Sequence, residues 1–426
     1  AQGELIMKRR LAVLLVGVLV PAAVYANRGP QAPAPRDAAE IQAMVDAAAD
    51  GAEVVPPPGH YLGHVVVNKP ITLDGRDQVT IDAGGSGTVV VVETNNAVVR
   101  NLHLTNSGAD HNAEDAGVHV RGNNNVIKDN VIDETLEGVN LSKADGNIVR
   151  RNRISSKSEL PLGLRGDGLK LWYSNDNAIE ENDLVNSRDL VVWYSQRNRI
   201  ARNVSHGGRY GLHFMYAGSN IVDSNRFFDN SVGISMMYSE GVVVKGNYIA
   251  SSTGATGTCI AAKESSDLTV ENNDIIYCAQ GLFLDVSPYQ PDSTNRISNN
   301  RFRFNDIAVG FLNDRPGNIF TDNIFGDNLT EVAVYGGGSA RSNEWNGNSW
   351  DSYEGFDRDG DGIGDTPHRV FGYAGRVWMD MPNTRFFKGT ATLEVLDFLD
   401  RLAPFSEPEL LLEDERPHIR AKEKTS

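Results

Sequence analysis

The chain has 426 residues, and its 40 Lys and Arg residues against 56 Asp and Glu residues give a formal net charge of −16. Acidic residues are in excess, and the sequence has no stripe of basic residues that could neutralise phosphates. A nucleic acid or an anionic membrane is therefore excluded as the main ligand. The two cysteines exclude a disulfide-built scaffold, and the 42 glycines follow no collagen period.

The N terminus has the features of a secretory signal peptide. Residues 7–10 read Met-Lys-Arg-Arg, residues 11–20 are apolar, and residues 24–26 offer a small-residue cleavage site. A membrane anchor is the alternative, but this apolar run is much shorter than the roughly 20 residues that span a bilayer. We therefore expect residues 1–26 to be a signal peptide with an upstream extension, residues 27–37 to be a linker, and the mature protein to be periplasmic.

A short unit, apolar-x-x-Asn-x-apolar, repeats from about residue 95 to residue 348. Its asparagines recur at intervals of 21 to 30 residues and are Asn101, Asn130, Asn152, Asn182, Asn203, Asn225, Asn247, Asn273, Asn300, Asn323 and Asn348. Leucine is too sparse for leucine-rich repeats, and short β-branched segments with Asn and Gly at the corners are typical of strands joined by tight turns. The repeat predicts an all-β protein, a right-handed parallel β-helix whose turns, or rungs, stack about 4.8 Å apart.

The two ends of the solenoid carry helical patterns. Residues 38–49 have one apolar face and predict a short N-terminal capping helix, because an open solenoid end exposes strand edges. The repeat is absent after residue 385, and residues 393–402 have the spacing of an amphipathic helix. We therefore assign residues 38–385 to the β-helix and 386–426 to a C-terminal helix and tail. This tail either caps the solenoid or docks onto a membrane partner.

Five successive strand segments align with one another, at residues 168–173, 189–194, 211–216, 233–238 and 257–262. Alternate side chains of a strand point to opposite faces, and Lys170 cannot point unpaired into a solenoid core. The residues that share its face therefore point outward: Lys170, Trp172, Val191, Trp193, His213, Met215, Ser235, Met237, Cys259 and Ala261.

This alignment predicts an outward column of Trp172, Trp193, Met215 and Met237, with His213 beside it. A contiguous apolar surface of this kind marks an interaction site, and thioether ligands favour Cu(I). We therefore predict a copper site at His213, Met215 and Met237. A partner surface is expected at Lys170, Trp172 and Trp193. The alternative is that the methionines pack under a loop or a partner and hold no metal.

A second metal motif follows the repeat. Asp357, Asp359, Asp361 and Asp365 occupy the positions 1, 3, 5 and 9 of an EF-type calcium loop, with a glycine at position 6. Position 12 is His368, where a bidentate Glu would be expected. The sequence thus predicts either a calcium site or an acidic, Gly-rich turn.

The same fold also supports a carbohydrate-active alternative, a polysaccharide lyase or epimerase. Here Lys170 would be the base, Trp172 and Trp193 would be sugar-stacking platforms, and Arg165 with Asp167 would either assist or form a surface ion pair. No outward column supplies two facing carboxylates, so we favour a protein without catalysis. Cys259 and Cys278 lie in successive rungs but in different columns, and their pairing is open.

Four segments have the most specific motifs of the chain: Gly-Asp-Gly-Leu-Lys-Leu-Trp-Tyr (166–173), Tyr-Gly-Leu-His-Phe-Met-Tyr (210–216), Met-Met-Tyr-Ser (236–239) and Asn-Ser-Trp-Asp-Ser-Tyr (348–353), which leads into the acidic loop. These segments resemble one known family, the NosD proteins, periplasmic maturation factors of nitrous oxide reductase. The stretches 401–408 and 414–417 are similar as well. The resemblance to the NosD family covers most of the mature chain. The solenoid is also similar to the wider class of sugar-hydrolase β-helices, but that wider likeness is unspecific about function.

The resemblance implies a role without catalysis. It implies a periplasmic protein on an ABC transporter, with a membrane permease and a cytoplasmic ATPase, that assists assembly of the copper–sulfur centre of nitrous oxide reductase. A copper chaperone would be a further partner, and contact with the membrane would run only through the permease. The resemblance does not name the copper ligands; those follow from the column and from the softness of the ligand atoms.

Overall fold

The computed structural model describes residues 34–373, 375–403 and 408–419. The predicted signal peptide lies outside the described residues, as do most of the linker and the last residues of the tail. In the part of the chain that is described, no helix is both long and apolar enough to cross a membrane.

The structure confirms the parallel β-helix, which has about 14 turns. Each complete rung contributes three short strands. Asn, Gly and other residues with a left-handed backbone conformation turn the chain between these strands. One face is a 12-stranded parallel sheet, called here the column sheet because it carries the predicted outward column. Its strands are Val65–Val67, Val90–Val92, Ala116–Val120, Glu137–Ser142, Leu169–Trp172, Asp189–Trp193, Tyr210–Met215, Val232–Met237, Thr258–Lys263, Gln280–Asp285, Val309–Phe311 and Val332–Val334.

The other two faces form a sheet of 25 strands. These strands are Arg36–Asp37, Glu53–Val54, Gly59–Leu62, Thr72–Asp82, Val98–Thr105, Val126–Lys128, Val131–Thr135, Ile148–Arg150, Arg153–Ser156, Ala178–Glu180, Asp183–Val185, Arg199–Ala201, Val204–His206, Ile221–Asp223, Arg226–Phe228, Val243–Lys245, Tyr248–Ala250, Thr269–Glu271, Asp274–Ile276, Asn295–Ser298, Arg301–Arg303, Asn318–Thr321, Ile324–Gly326, Glu344–Asn346 and Ser349–Trp350. Inward side chains from all three faces fill one continuous apolar core.

The repeated asparagines form a buried ladder along one corner of the solenoid. In each rung the side-chain Oδ1 accepts the backbone N–H of the asparagine in the preceding rung, at 2.8 to 3.1 Å. The ladder begins at Asn130 rather than at Asn101, which lies one residue out of register and donates to Asp74 instead. Because buried polar groups need partners, this ladder fixes the stacking register.

The two cysteines are joined by a disulfide between Cys259 and Cys278. Cys259 is buried in the core, so its predicted place in the outward set is wrong. Ser235 pairs with Ala261, two residues further along the chain than the alignment predicted. The cause is that Gly257 still belongs to the loop, and the strand begins only at Thr258.

Both ends of the solenoid are covered. The predicted N-terminal helix is present over Ala39–Ala47 and buries Ile41 and Val45. At the other end, the antiparallel strands His368–Gly372 and Glu409–Asp414 pack beside the last rung. The remaining elements are the α-helices Arg376–Asp380 and Ala391–Leu402 and the 3-10 helices Leu162–Leu164 and Pro382–Phe387.

Candidate functional site

The predicted outward column is present on the column sheet. Parallel pairing places Trp172 beside Trp193, Trp193 beside Met215, and Met215 beside Met237. All four side chains are half-buried, while their neighbours Leu171, Val192, Phe214 and Met236 lie in the core. The two thioethers therefore project from adjacent rungs of the same face.

His213 lies on that face, two residues before Met215, and it is only 6% exposed. Its ring meets the Trp193 ring edge-on, with centroids 5.6 Å apart, and the tilted Tyr210 ring at 4.7 Å. Neither Nδ1 nor Nε2 has a hydrogen-bond partner among the described residues. Burial lowers the pKa of His213 to about 4, so at neutral pH the imidazole is uncharged and one ring nitrogen keeps a free lone pair.

A charged cluster holds Tyr210 against His213. The buried carboxylate of Asp189 accepts the backbone N–H of Tyr210 at 3.1 Å and is paired with Arg209. The Arg209 guanidinium in turn lies over the Tyr210 ring, 4.8 Å from its centroid. The Tyr210 ring beside the imidazole is thus positioned by the ion pair of Asp189 and Arg209.

The ammonium group of Lys170 is paired and largely buried on this surface. It contacts Glu114 at 2.7 Å and Glu137 at 3.0 Å, and the residue is 9% exposed. Burial alone would lower the pKa of Lys170, but the two carboxylates outweigh that effect and raise the pKa. A lysine held protonated in this way is a poor general base, which weakens the lyase alternative.

Arg165 and Asp167 do not form the ion pair that the sequence suggested. The Arg165 guanidinium donates to backbone carbonyls, including that of Asn186 at 2.9 Å. Asp167 is instead paired with Arg188 at 2.9 Å. Burial raises the pKa of Asp167 to about 7, against the opposing charge of Arg188.

Sequence reasoning missed a ladder of tyrosines at the end of the strands of the column sheet. The rings of Tyr173, Tyr194, Tyr216 and Tyr238 stack in order, with centroids 4.9, 5.2 and 4.9 Å apart. Their backbones are left-handed, with φ from 47° to 51°, a conformation that bulky residues rarely adopt. The signal was present as a tyrosine directly after each Trp or Met of the column. The stacked rings extend the aromatic surface at the edge of the column.

Three of the four aspartates predicted as calcium ligands lie close together in the acidic loop after the last rung. Ligand atoms of Asp357, Asp359 and Asp361 lie within 4.8 Å of one another. Asp365 accepts the backbone N–H of Arg358 at 2.9 Å and does not belong to that group. His368, at position 12, lies in a strand and stacks on Trp350, 4.9 Å away.

Comparison with known proteins agrees with this architecture. Residues 155–355, which include the copper-site candidates, match the family model described as NosD, periplasmic copper-binding protein. A "Probable ABC transporter binding protein NosD" of Pseudomonas aeruginosa is 26% identical over 378 residues, covering 81% of this chain and 83% of that protein. The protein of the same name from Stutzerimonas stutzeri is 25% identical over 383 residues, with 82% of each chain covered.

Solved structures match the fold alone. The A-modules of the mannuronan C-5 epimerases AlgE6 and AlgE4 of Azotobacter vinelandii are 16% and 17% identical, with TM-scores of 0.55 and 0.56. Each comparison covers 71% of this chain and 93% or 94% of the module.

Both NosD relatives are named as binding proteins rather than enzymes, in agreement with the predicted role without catalysis. The resemblance of this chain to the NosD family is therefore confirmed.

Proposed function

We propose that this protein is a periplasmic accessory protein of an ABC transporter that receives Cu(I) at His213, Met215 and Met237 and assists assembly of the copper–sulfur centre of nitrous oxide reductase. The observation that carries the proposal is the buried, neutral imidazole of His213, whose two nitrogens lack partners in the described chain, beside two register-paired methionines. The family description of NosD as copper-binding and periplasmic supports it.

The three side chains suit a monovalent soft cation. Neutral imidazole and thioether ligands add no negative charge, so they favour Cu(I) over divalent ions that prefer carboxylates. A buried polar group without a partner costs roughly 1–3 kcal/mol, and a metal bound at an imidazole nitrogen would remove part of that cost. Copper here is cargo, held by ligands that exchange readily, which is what a relay requires.

The C-terminal helix Ala391–Leu402 is the element that we propose contacts the permease of the transporter. Five large apolar side chains at helical spacing are 45% to 68% exposed: Val395, Leu396, Phe398, Leu399 and Leu402. The polar residues among them are mostly acidic, with Glu394, Asp397 and Asp400. An acidic helix is repelled by anionic lipid headgroups, so a groove in a protein partner fits this face better than a bilayer surface does.

An anaerobic competition titration of residues 27–426 with a Cu(I) probe tests the copper site. We expect binding of one Cu(I) per chain, weakened at least tenfold by His213→Ala and by Met215→Ala. His206→Ala and Met381→Ala remove the same side-chain types away from the site and should leave the affinity unchanged. Equal affinity in all four variants would rule out the assigned ligands.

Capture of the detergent-solubilised permease and ATPase by the tagged protein tests the docking helix. Leu396→Asp combined with Leu399→Asp should abolish capture while leaving Cu(I) binding intact. Leu164→Asp, at an exposed apolar position far along the chain, is the matched control. Capture that survives the double substitution would move the interface elsewhere on the solenoid.

A further inference from the structure

Trp193 stands directly beside the proposed copper ligands. It is the register partner of Met215 in the neighbouring rung, and adjacent rungs lie about 4.8 Å apart. Its ring is also 5.6 Å from the ring of His213. Trp193 therefore contacts or flanks two of the three ligands, which Trp172, one rung further away, does not.

The orientation of the two rings matters for a bound ion. The indole of Trp193 and the imidazole of His213 are perpendicular, with 89° between their planes. A metal held by a ring nitrogen lies in the imidazole plane. This perpendicular arrangement is compatible with an ion that is held by an imidazole nitrogen and lies against the π face of the indole.

The indole N–H of Trp193 forms no hydrogen bond within the described residues that would fix the ring in another orientation. Nε1 is buried and has no hydrogen-bond acceptor in the described part of the chain. Buried Trp N–H groups usually find a partner. The ring is therefore held by contacts of its faces and edges, and its orientation is not set by a hydrogen bond.

We propose that Trp193 is a fourth element of the Cu(I) site, in which the indole π face binds the cation that His213, Met215 and Met237 ligate. The proposal rests on the copper site proposed above. Cation–π attraction is strongest where both partners are shielded from water. Trp193 is half-buried, and the ligand His213 beside it is 6% exposed. The indole would also shield the bound ion from water and oxygen. It would do so without adding a coordinate bond that must break when the ion is released.

The indole adds selectivity as well as affinity. A soft, weakly hydrated monovalent cation loses little by exchanging a water for a π face, whereas a divalent ion such as Zn²⁺ seeks nitrogen or oxygen ligands instead. The ligand class of this site is thus Cu(I) and its redox-inert analogue Ag(I).

Ag(I) titration monitored by tryptophan fluorescence and near-ultraviolet difference absorbance tests the proposal on the whole mature chain. We expect saturable quenching and a red-shifted indole band at one Ag(I) per chain in the wild type and in the control Trp378→Phe, which removes a tryptophan of the helix Arg376–Asp380 outside the column. Both signals should disappear in Trp193→Phe, which keeps a flat apolar ring in place. Trp193→Leu should weaken Ag(I) binding roughly 5- to 30-fold, the range that corresponds to about 1–2 kcal/mol of cation–π attraction.

The outcomes separate the two proposals. In one outcome the wild type binds one Ag(I) and His213→Ala does not, but binding to the wild type leaves the Trp193 fluorescence and absorbance unchanged. That outcome would overturn the cation–π role and keep the ligand set. Absence of Ag(I) and Cu(I) binding in the correctly folded wild type, judged by circular dichroism, would overturn both. Unchanged affinity in Trp193→Leu would likewise contradict the role of the indole.

Discussion

Asn348, the last residue of the asparagine ladder, donates both its backbone N–H and its side-chain Nδ2 to one carboxylate oxygen of Asp414, at 3.0 and 2.9 Å. The same oxygen accepts the indole N–H of Trp350 at 3.1 Å. Asp414 lies on the strand Glu409–Asp414, so the C-terminal segment completes the hydrogen bonding of the final rung. Of the two roles predicted for the tail, capping is thus seen directly.

Asp414→Ala should lower the free energy of unfolding by at least about 2 kcal/mol, because it removes the acceptor of the buried backbone N–H groups of Gly347 and Asn348 and of the Trp350 indole N–H. Asp414→Asn keeps one acceptor oxygen and should lose less. Urea unfolding followed by circular dichroism measures the difference, and the exposed neighbour Glu415→Ala is the control. A loss no larger than that of the control would show that the tail is not needed for the stability of the last rung.

The sequence predicted the parts of the fold that repeat. Alternation and the recurring asparagines were sufficient to place Met215 and Met237 in one column and His213 on the same face, because both patterns repeat in every rung. Register failed where a loop changes length, as at Cys259, since one or two residues held in a loop shift every later pairing.

The surroundings of the site could not be predicted in the same way. Glu114 reaches Lys170 from 56 positions away, and the Tyr210 ring is held against His213 by an ion pair between rungs. Such contacts depend on how loops fold over the sheet and carry no periodic signal. Even so, Glu114 and Glu137 explain why Lys170 can lie on an outward face while being nearly buried.

Lys170→Met should destabilise the protein by about 3–5 kcal/mol, because it leaves the buried carboxyl of Glu137 without its counter-charge. The double variant Lys170→Met/Glu137→Gln should recover a large part of that loss. Lys263→Met removes an exposed partner of Asp285 on the same sheet and should cost less than about 1 kcal/mol. The measurement is chemical unfolding of the four proteins at pH 7.

The cost of Lys170→Met should also depend on pH. Burial raises the pKa of Glu137, against the opposing charge of Lys170, so the unpaired carboxyl takes up a proton more readily than an exposed Glu. The destabilisation should therefore be smaller at pH 4.5 than at pH 7. A loss that is constant over this range would mean that Glu137 is not the group left uncompensated.

His213 should make stability fall on the acid side of neutrality. Its pKa is about 4 in the folded protein against about 6.5 in an unfolded chain. The unfolded chain takes up the proton first, so the contribution is present above pH 6.5 and is lost as the pH falls from there to 4. His213→Gln removes this term, and the melting temperatures of variant and wild type should converge or cross between pH 7 and pH 4.5.

The comparison with His213→Gln is needed because Asp167 acts in the opposite direction. Its pKa is raised to about 7 in the folded protein, so its contribution grows as the pH falls below 7. That term is common to both proteins and cancels in the difference between them. A constant difference in melting temperature across the range would contradict the low pKa of His213.

Calcium binding at the acidic loop stays a prediction that the structure makes specific. Backbone N–H groups of Gly362 and Gly360 donate to Asp357 at 2.9 and 2.6 Å and lower the pKa of Asp357, so the loop is already shaped around an ionised carboxylate. His368 supplies no bidentate oxygen at position 12, and we therefore expect weak affinity, with Kd on the order of 10⁻⁴ to 10⁻³ M. About 10 mM CaCl₂ should raise the melting temperature of the wild type but not of Asp359→Asn or Asp361→Asn. Glu354→Gln, an exposed acidic neighbour outside the triad, should respond like the wild type, and an equal response in all four proteins would show that calcium acts on the surface in general.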